Sequence, residues 1–261
     1  MSLTGKTKAG SYKDLLQMNN SNSGVDATTR AVVDGEGTAS SLNISSARTI
    51  VQGGSDSSTK FSVQDADSNN LLLVDSTNDL VKAGAGQHIV NTQVKDFCIT
   101  SVNSQPSTTN TWTALSSIGS ARFVAGVELG TGSTPATSLT ISTTANNVAQ
   151  AMWYVPFNIT IDSCNVWFGA DAASGDAVKF SVMQYAVDSA NGVTGGDLSS
   201  GSELCNQSLP FNGQGYEQAY YGALTVASAN VDAGKVILAC VHQDGTNSDL
   251  TVNMQLVYHL R

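Results

Sequence analysis

The sequence predicts an all-β protein, in which a short N-terminal segment and a β-shaft precede an antiparallel β-sandwich of jelly-roll-like type. Three observations predict it. Apolar and polar residues alternate with period two through much of the C-terminal part of the chain. Short apolar runs before it are separated by Asn- and Asp-rich reversals. No stretch carries the periodicity of an amphipathic helix. With 261 residues, of which 41% are hydrophobic, the chain is long enough for one large β domain or two smaller ones.

Residues 1–48 are rich in Ser, Thr, Gly and Asn. Their one apolar cluster, Tyr12-Lys13-Asp14-Leu15-Leu16-Gln17-Met18, is followed by Ala31-Val32-Val33 and the turn signal Asp34-Gly35-Glu36-Gly37-Thr38. A segment this poor in apolar residues cannot offset its own ordering entropy. It is therefore expected to be extended, and either mobile or ordered by partners.

Residues 49–93 read as a β-meander: Phe61-Ser62-Val63-Gln64, Leu71-Leu72-Leu73-Val74-Asp75 and Leu80-Val81-Lys82, joined by Asn/Asp turns. A ribbon of this size is unstable alone in water. Three chains wound together can bury a row of Phe61, Val63, Leu71, Leu73 and Val81 on a common axis, so the pattern predicts oligomerisation.

Residues 94–261 hold most of the aromatic residues and the longest strand candidates. These run Arg122 to Leu129, Ser138 to Ile141, Met152 to Val155, Phe157 to Ile161, Cys164 to Phe168, Val178 to Tyr185, Lys235 to Val241 and Leu250 to Tyr258. In the last, Leu250, Val252, Met254, Leu256 and Tyr258 point one way and Thr251, Asn253 and Gln255 the other, the mark of a half-buried antiparallel strand. The loop from Phe211 to Tyr221 combines Phe211, Asn212, Tyr216, Tyr220 and Tyr221, a mixture of rings and amides suited to a sugar-like ligand. The competing reading is that its aromatic residues anchor the loop or fill a subunit contact.

Composition narrows the chemistry. Net charge is −9 with a pI near 4.5, and the one basic cluster is Lys6, Lys8 and Lys13, so nucleic acid is not an expected partner. Only 13% of residues are charged, about half of the roughly 25% of ordinary soluble domains. No apolar run reaches the roughly 18 residues of a membrane span, and the first residues lack the apolar core of a signal peptide. Synthesis in a cytoplasm without export is expected, and the Asn43 and Asn158 sequons are then fortuitous. Cys98, Cys164, Cys205 and Cys240 are too widely spaced for a paired zinc motif and read as reduced core thiols.

His88, His242 and His259 stand in no catalytic motif, and His242 and His259 read as loop or terminal residues. The stretch from Asp65 fails as a calcium loop, with Asn70 where Gly is needed and Ser76 where a bidentate Glu is needed. Neither Gly35-Glu36-Gly37 nor Gly84-Ala85-Gly86 continues into a phosphate loop. No enzyme activity, cofactor or metal is expected.

Two stretches resemble the fibre proteins of marine tailed bacteriophages. Leu3-Thr4-Gly5-Lys6-Thr7, through Tyr12 to Gln17 and on to Asp34-Gly35-Glu36-Gly37-Thr38, resembles the start of such virion proteins. Phe61-Ser62-Val63-Gln64-Asp65, Val74-Asp75 and Leu80-Val81-Lys82 are similar to the shaft repeat of trimeric fibres, with one good copy and hence a short stalk. The resemblance covers roughly the first third of the chain. It implies a virion location, attachment to other virion proteins through Tyr12, Leu15, Leu16 and Met18, and a C-terminal domain turned toward a host glycan or receptor. Two alternatives share the same residues: a capsid decoration or cement protein that staples subunits through its N-terminal arm, and a free lectin-like module.

Overall fold

The chain divides into two compact units, residues 1–91 and 92–261. The computed structural model describes residues 16–18, 20–21, 23–84, 88–90, 92–99, 110–118, 127–141, 145–170, 177–188, 196–210, 218–243 and 250–261. The architecture is all-β and antiparallel.

The first unit contains two four-stranded sheets. One is formed by β1 (Gln17–Met18), β2 (Arg30–Val33), β3 (Ala39–Ile44) and β4 (Thr49–Val51), the other by β5 (Phe61–Gln64), β6 (Asn70–Asp75), β7 (Leu80–Ala83) and β8 (His88–Ile89), each strand pairing with the next. The two sheets repeat one design. Adding 31 to each number turns the pairs Leu42↔Val51, Asn43↔Ile50 and Ile44↔Thr49 into Leu73↔Lys82, Val74↔Val81 and Asp75↔Leu80.

The turns repeat as well. Asp34 Oδ1 accepts the amides of Glu36 and Thr38 at 2.9 and 2.8 Å, and Asp65 Oδ1 accepts those of Asp67 and Asn69 at 2.9 and 2.8 Å. Gly37 and Ser68, three residues on from each Asp, both take left-handed backbone (φ 89° and 67°). An Asp at the turn entrance satisfies the amides a reversing chain would leave open, which is why both loops close alike.

Two sequence expectations are corrected here. Residues up to 48 are not simply extended: they contain a folded copy of the meander, so there are two copies instead of one. Nor do the five shaft residues share a face. Directly paired residues in an antiparallel sheet lie on the same side. The registers Phe61↔Val74↔Val81 and Val63↔Leu72↔Ala83 therefore put Phe61, Val63 and Val81 on one face. Leu73, paired with Ser62 and Lys82, lies on the other. Leu71 falls at the irregularity between Val63 and Gln64 and lies outside the paired rows.

The second unit is a β-sandwich built from β9 (Thr92–Ile99), β10 (Thr113–Ala114), β11 (Trp153–Tyr154), β12 (Ile159–Ala170), β13 (Ala177–Val187), β14 (Leu198–Pro210), β15 (Gln218–Val226), β16 (Asn230–Val231), β17 (Val236–Gln243) and β18 (Thr251–Leu260). One side has the order β15-β12-β18-β9 and the other β10-β17-β13-β14. They join where β14 meets β15 at Cys205↔Val226, and again through the Cys98↔Ser116 bridge. Numbering the eight main strands along the chain gives sheet orders 6-3-8-1 and 2-7-4-5.

Between the sheets lies a core that includes Phe97, Phe168, Phe180, Leu204, Met254 and Leu256. The β10-β17-β13-β14 sheet is also covered on its outer side, where Trp112, Leu129, Val148, Tyr185, Leu198 and Leu238 pack together. Helix α1 (Ala145–Ala151), for which the sequence has no amphipathic signal, contributes Val148 and Ala151 to this layer. This explains why Val236-Ile237-Leu238-Ala239-Cys240-Val241 reads as an unbroken apolar run: a strand buried on both faces needs no polar side. The opposite sheet alternates buried and more exposed positions along most of β12 and β18, and its outer face is open.

Candidate functional site

The open face follows from cross-strand register. Trp167 on β12 pairs with Tyr221 on β15 and Asn253 on β18, forming one row across three strands. Two residues toward the end of β12, Gly169 pairs with Ala219 and Thr251; two residues the other way, Asn165 pairs with Ala223 and Gln255. Asp96 on β9 extends this last row. Alternation assigns such outward positions to polar residues, yet Trp167 is 51% and Tyr221 79% exposed.

Next to the row lies a hollow of about 360 Å³, lined by the outward-facing Trp167, Gly169, Ala219, Thr251 and Asn253 and by the inward-facing Ile99, Phe168, Tyr220 and Val252. Small side chains make the space. A Cβ on Gly169 would stand 2.8 Å from Thr251 Oγ1, so any larger residue there would displace the floor. Tyr220 stacks on Phe168 (centroids 5.1 Å apart, planes 14°), and Phe168 leans on Phe180 in the core at 5.2 Å. The rim of the hollow is thus tied to the sandwich interior. The side-chain amides of Asn165, Asn253 and Gln255 have no hydrogen-bond partner among the described residues and are available to a ligand.

Of the ligand-loop residues expected from sequence, Tyr220 and Tyr221 lie on a strand and not in a loop: β15 begins at Gln218. Tyr220 lines the hollow and Tyr221 joins the open row, whereas Phe211, Asn212 and Tyr216 lie outside the described residues. Trp167, Asn165 and Asn253 were missed as site residues. The run Val166-Trp167-Phe168 looks uniformly apolar, and only the pairing shows that its middle residue faces outward.

The first unit offers a second surface. Phe61, Val63, Leu72, Val74, Val81 and Ala83 form one wholly apolar face across β5, β6 and β7, with Phe61, Val63 and Val81 each more than a third exposed. Leu71 is exposed and Leu73 buried. Of the anchoring cluster, Leu16 is exposed and Met18 is half-buried in β1, opposite Val32; Tyr12 and Leu15 lie outside the described residues.

His242, His259, Cys164 and Cys240 are all buried in the second unit. Contrary to the loop reading, His242 is buried within β17, its ring tilted against Trp112 at 5.1 Å, and His259 is buried within β18 with Nδ1 2.8 Å from Asp162 Oδ1. A hydrogen bond with Cys205, and then burial, push the Cys164 thiol well up, and burial does the same to Cys240. Both shifts favour the neutral thiol. Among the described residues no three His, Cys, Asp or Glu side chains converge as a metal site, and no helix is long and apolar enough to cross a membrane. No protein-family model and no curated protein matches the chain.

Proposed function

We propose that the protein is a structural component of a tailed-phage particle: a non-enzymatic, homotrimeric, fibre-like appendage. Its first unit would trimerise and attach to other virion proteins, and its second would meet the host surface. The observation that carries this reading is the apolar face formed by β5, β6 and β7. A small sheet with Phe61, Val63 and Val81 exposed on one side, and Leu72, Val74 and Ala83 half-buried beside them, gains little by folding alone. It becomes stable when copies cover that side, and large exposed apolar patches mark such interfaces.

The tandem 31-residue meander adds support, because a fibre shaft is built by repeating one short unit along the chain. The sandwich contributes by analogy of fold alone: the 6-3-8-1 and 2-7-4-5 orders are of the jelly-roll type, an architecture shared by virus capsid and lectin domains.

Light scattering behind a sizing column tests the reading. A mass of three chains is expected, with Phe61→Asp or Val81→Asp giving monomers whose second unit stays folded. A monomeric parent protein would sink the shaft assignment and favour a cement protein that orders only on a capsid.

A further inference from the structure

We propose that the open face of the β15-β12-β18-β9 sheet is a carbohydrate-binding platform, with Trp167 and Tyr221 as its stacking surface and the hollow over Gly169 as the seat of one pyranose ring. The proposal deepens the reading of the second unit as the host-facing part and rests on that reading for its biological sense. Its chemistry stands on the sheet alone.

A pyranose has one face of carbon-bound hydrogens and a rim of hydroxyls. The hydrogens carry partial positive charge and favour the negative face of an aromatic ring. The hydroxyls need partners that both donate and accept, as side-chain amides do. Both requirements meet here: an exposed Trp–Tyr row, with Asn253 in line and Asn165 and Gln255 one row below. The small residues Gly169, Ala219 and Thr251 leave a hollow of about 360 Å³ beside the rings, within the range of about 300–1,000 Å³ for ligand pockets.

Other occupants fit less well. Among the described residues of these rows the only charged one is Asp96, on the flanking strand, which disfavours a phosphate or an acidic chain. A protein partner would need a broad apolar centre, whereas this aromatic pair is bordered by amides and small residues. The platform is also mechanically sound. Trp167 and Asn253 sit on the two middle strands of the sheet, Tyr221 sits on β15 beside them, and the Tyr220–Phe168–Phe180 stack anchors the edge to the core.

The test titrates the full chain with linear tetrasaccharides of glucose, mannose, galactose and N-acetylglucosamine, by calorimetry and by tryptophan emission. Trp112 is buried and Trp153 packs against the core, so a ligand on the platform changes the emission of Trp167. At least one saccharide is expected to bind saturably. Trp167→Ala should weaken it at least about tenfold, the loss typical of a central aromatic contact. Asn253→Ala should weaken it less, and Tyr154→Ala, an exposed ring elsewhere in the unit, should leave it unchanged.

No saturable binding to any of the four, or undiminished binding by Trp167→Ala, overturns the platform. So does self-association of the parent that Trp167→Ala abolishes, which would assign the face to a second copy of the chain. Mass is measured on the same samples. A trimer that binds no sugar defeats the platform and leaves the shaft standing, and a monomer that binds sugar does the reverse.

Discussion

Two residues in the sandwich show how little room single side chains have. Gly201, on β14, has Tyr185 Cε1 at 2.6 Å and Thr137 Cα at 2.8 Å from where a Cβ would stand. Tyr185 cannot swing aside, because it is fully buried and its hydroxyl donates to Ala136 O at 2.8 Å. Gly201→Ala should therefore cost about 1–3 kcal/mol, the usual penalty for overpacking, seen as a lower urea midpoint with an unchanged slope. An unchanged midpoint would mean that the 136–137 segment gives way. Asp162 is the extra residue where the β12–β18 register shifts, and that irregularity aims its carboxylate at the buried ring of His259. Asp162→Ala strands a buried polar ring and should cost about 1–3 kcal/mol, while Asp162→Asn, which keeps Oδ1, should retain most of the stability. Equal losses in the two variants would show that the hydrogen bond contributes little.

At the scale of elements, the meanders depend on their turns, and the turns depend on ionised Asp. Asp34 is held below the ordinary carboxylate value of 3.8 chiefly by the Thr38 amide, Asp65 by the Asn69 side chain and then its amide, and Asp75 by the Asn78 side chain. A carboxyl whose folded pKa is depressed contributes stability above its unfolded value, and that contribution fades as pH falls through the folded one. The first unit should thus loosen below about pH 3.8, read as faster proteolysis of residues 30–83 at pH 3 than at pH 5 with an acid-tolerant protease. Asp65→Asn, which keeps an acceptor but cannot titrate, should blunt that change, and an undiminished change would move its origin elsewhere.

The same turns explain what could be read from sequence. The second meander was legible because Phe61, Val63 and the Leu71–Val74 run announce strands. The first was not, because Ala39-Ser40-Ser41-Leu42-Asn43-Ile44 has no clean alternation and is held by backbone pairing and its Asp turn. β14 was hidden by its Ser-rich composition. The proposed carbohydrate platform depends on a register between residues more than fifty positions apart, which no local pattern reveals.

At the scale of the whole molecule, the two units have different reasons to be stable. The second has its own two-layered core and should melt as an independent body at a temperature that does not depend on concentration. The first has two small sheets, one of which leaves Phe61, Val63 and Val81 exposed on an apolar face. If association covers them, its folding is linked to assembly by mass action, and its melting temperature must rise with protein concentration. Calorimetry of the full chain over a hundredfold range of concentration should therefore show two transitions, of which only the first moves. Phe61→Asp should remove the concentration dependence of that transition and leave the other in place. Leu73→Asp should act differently, because Leu73 is buried on the opposite face: it should abolish the first transition altogether by unfolding the sheet. Two fixed transitions in the parent protein would show that the first unit folds without association, and the apolar face would then need a partner other than the chain itself.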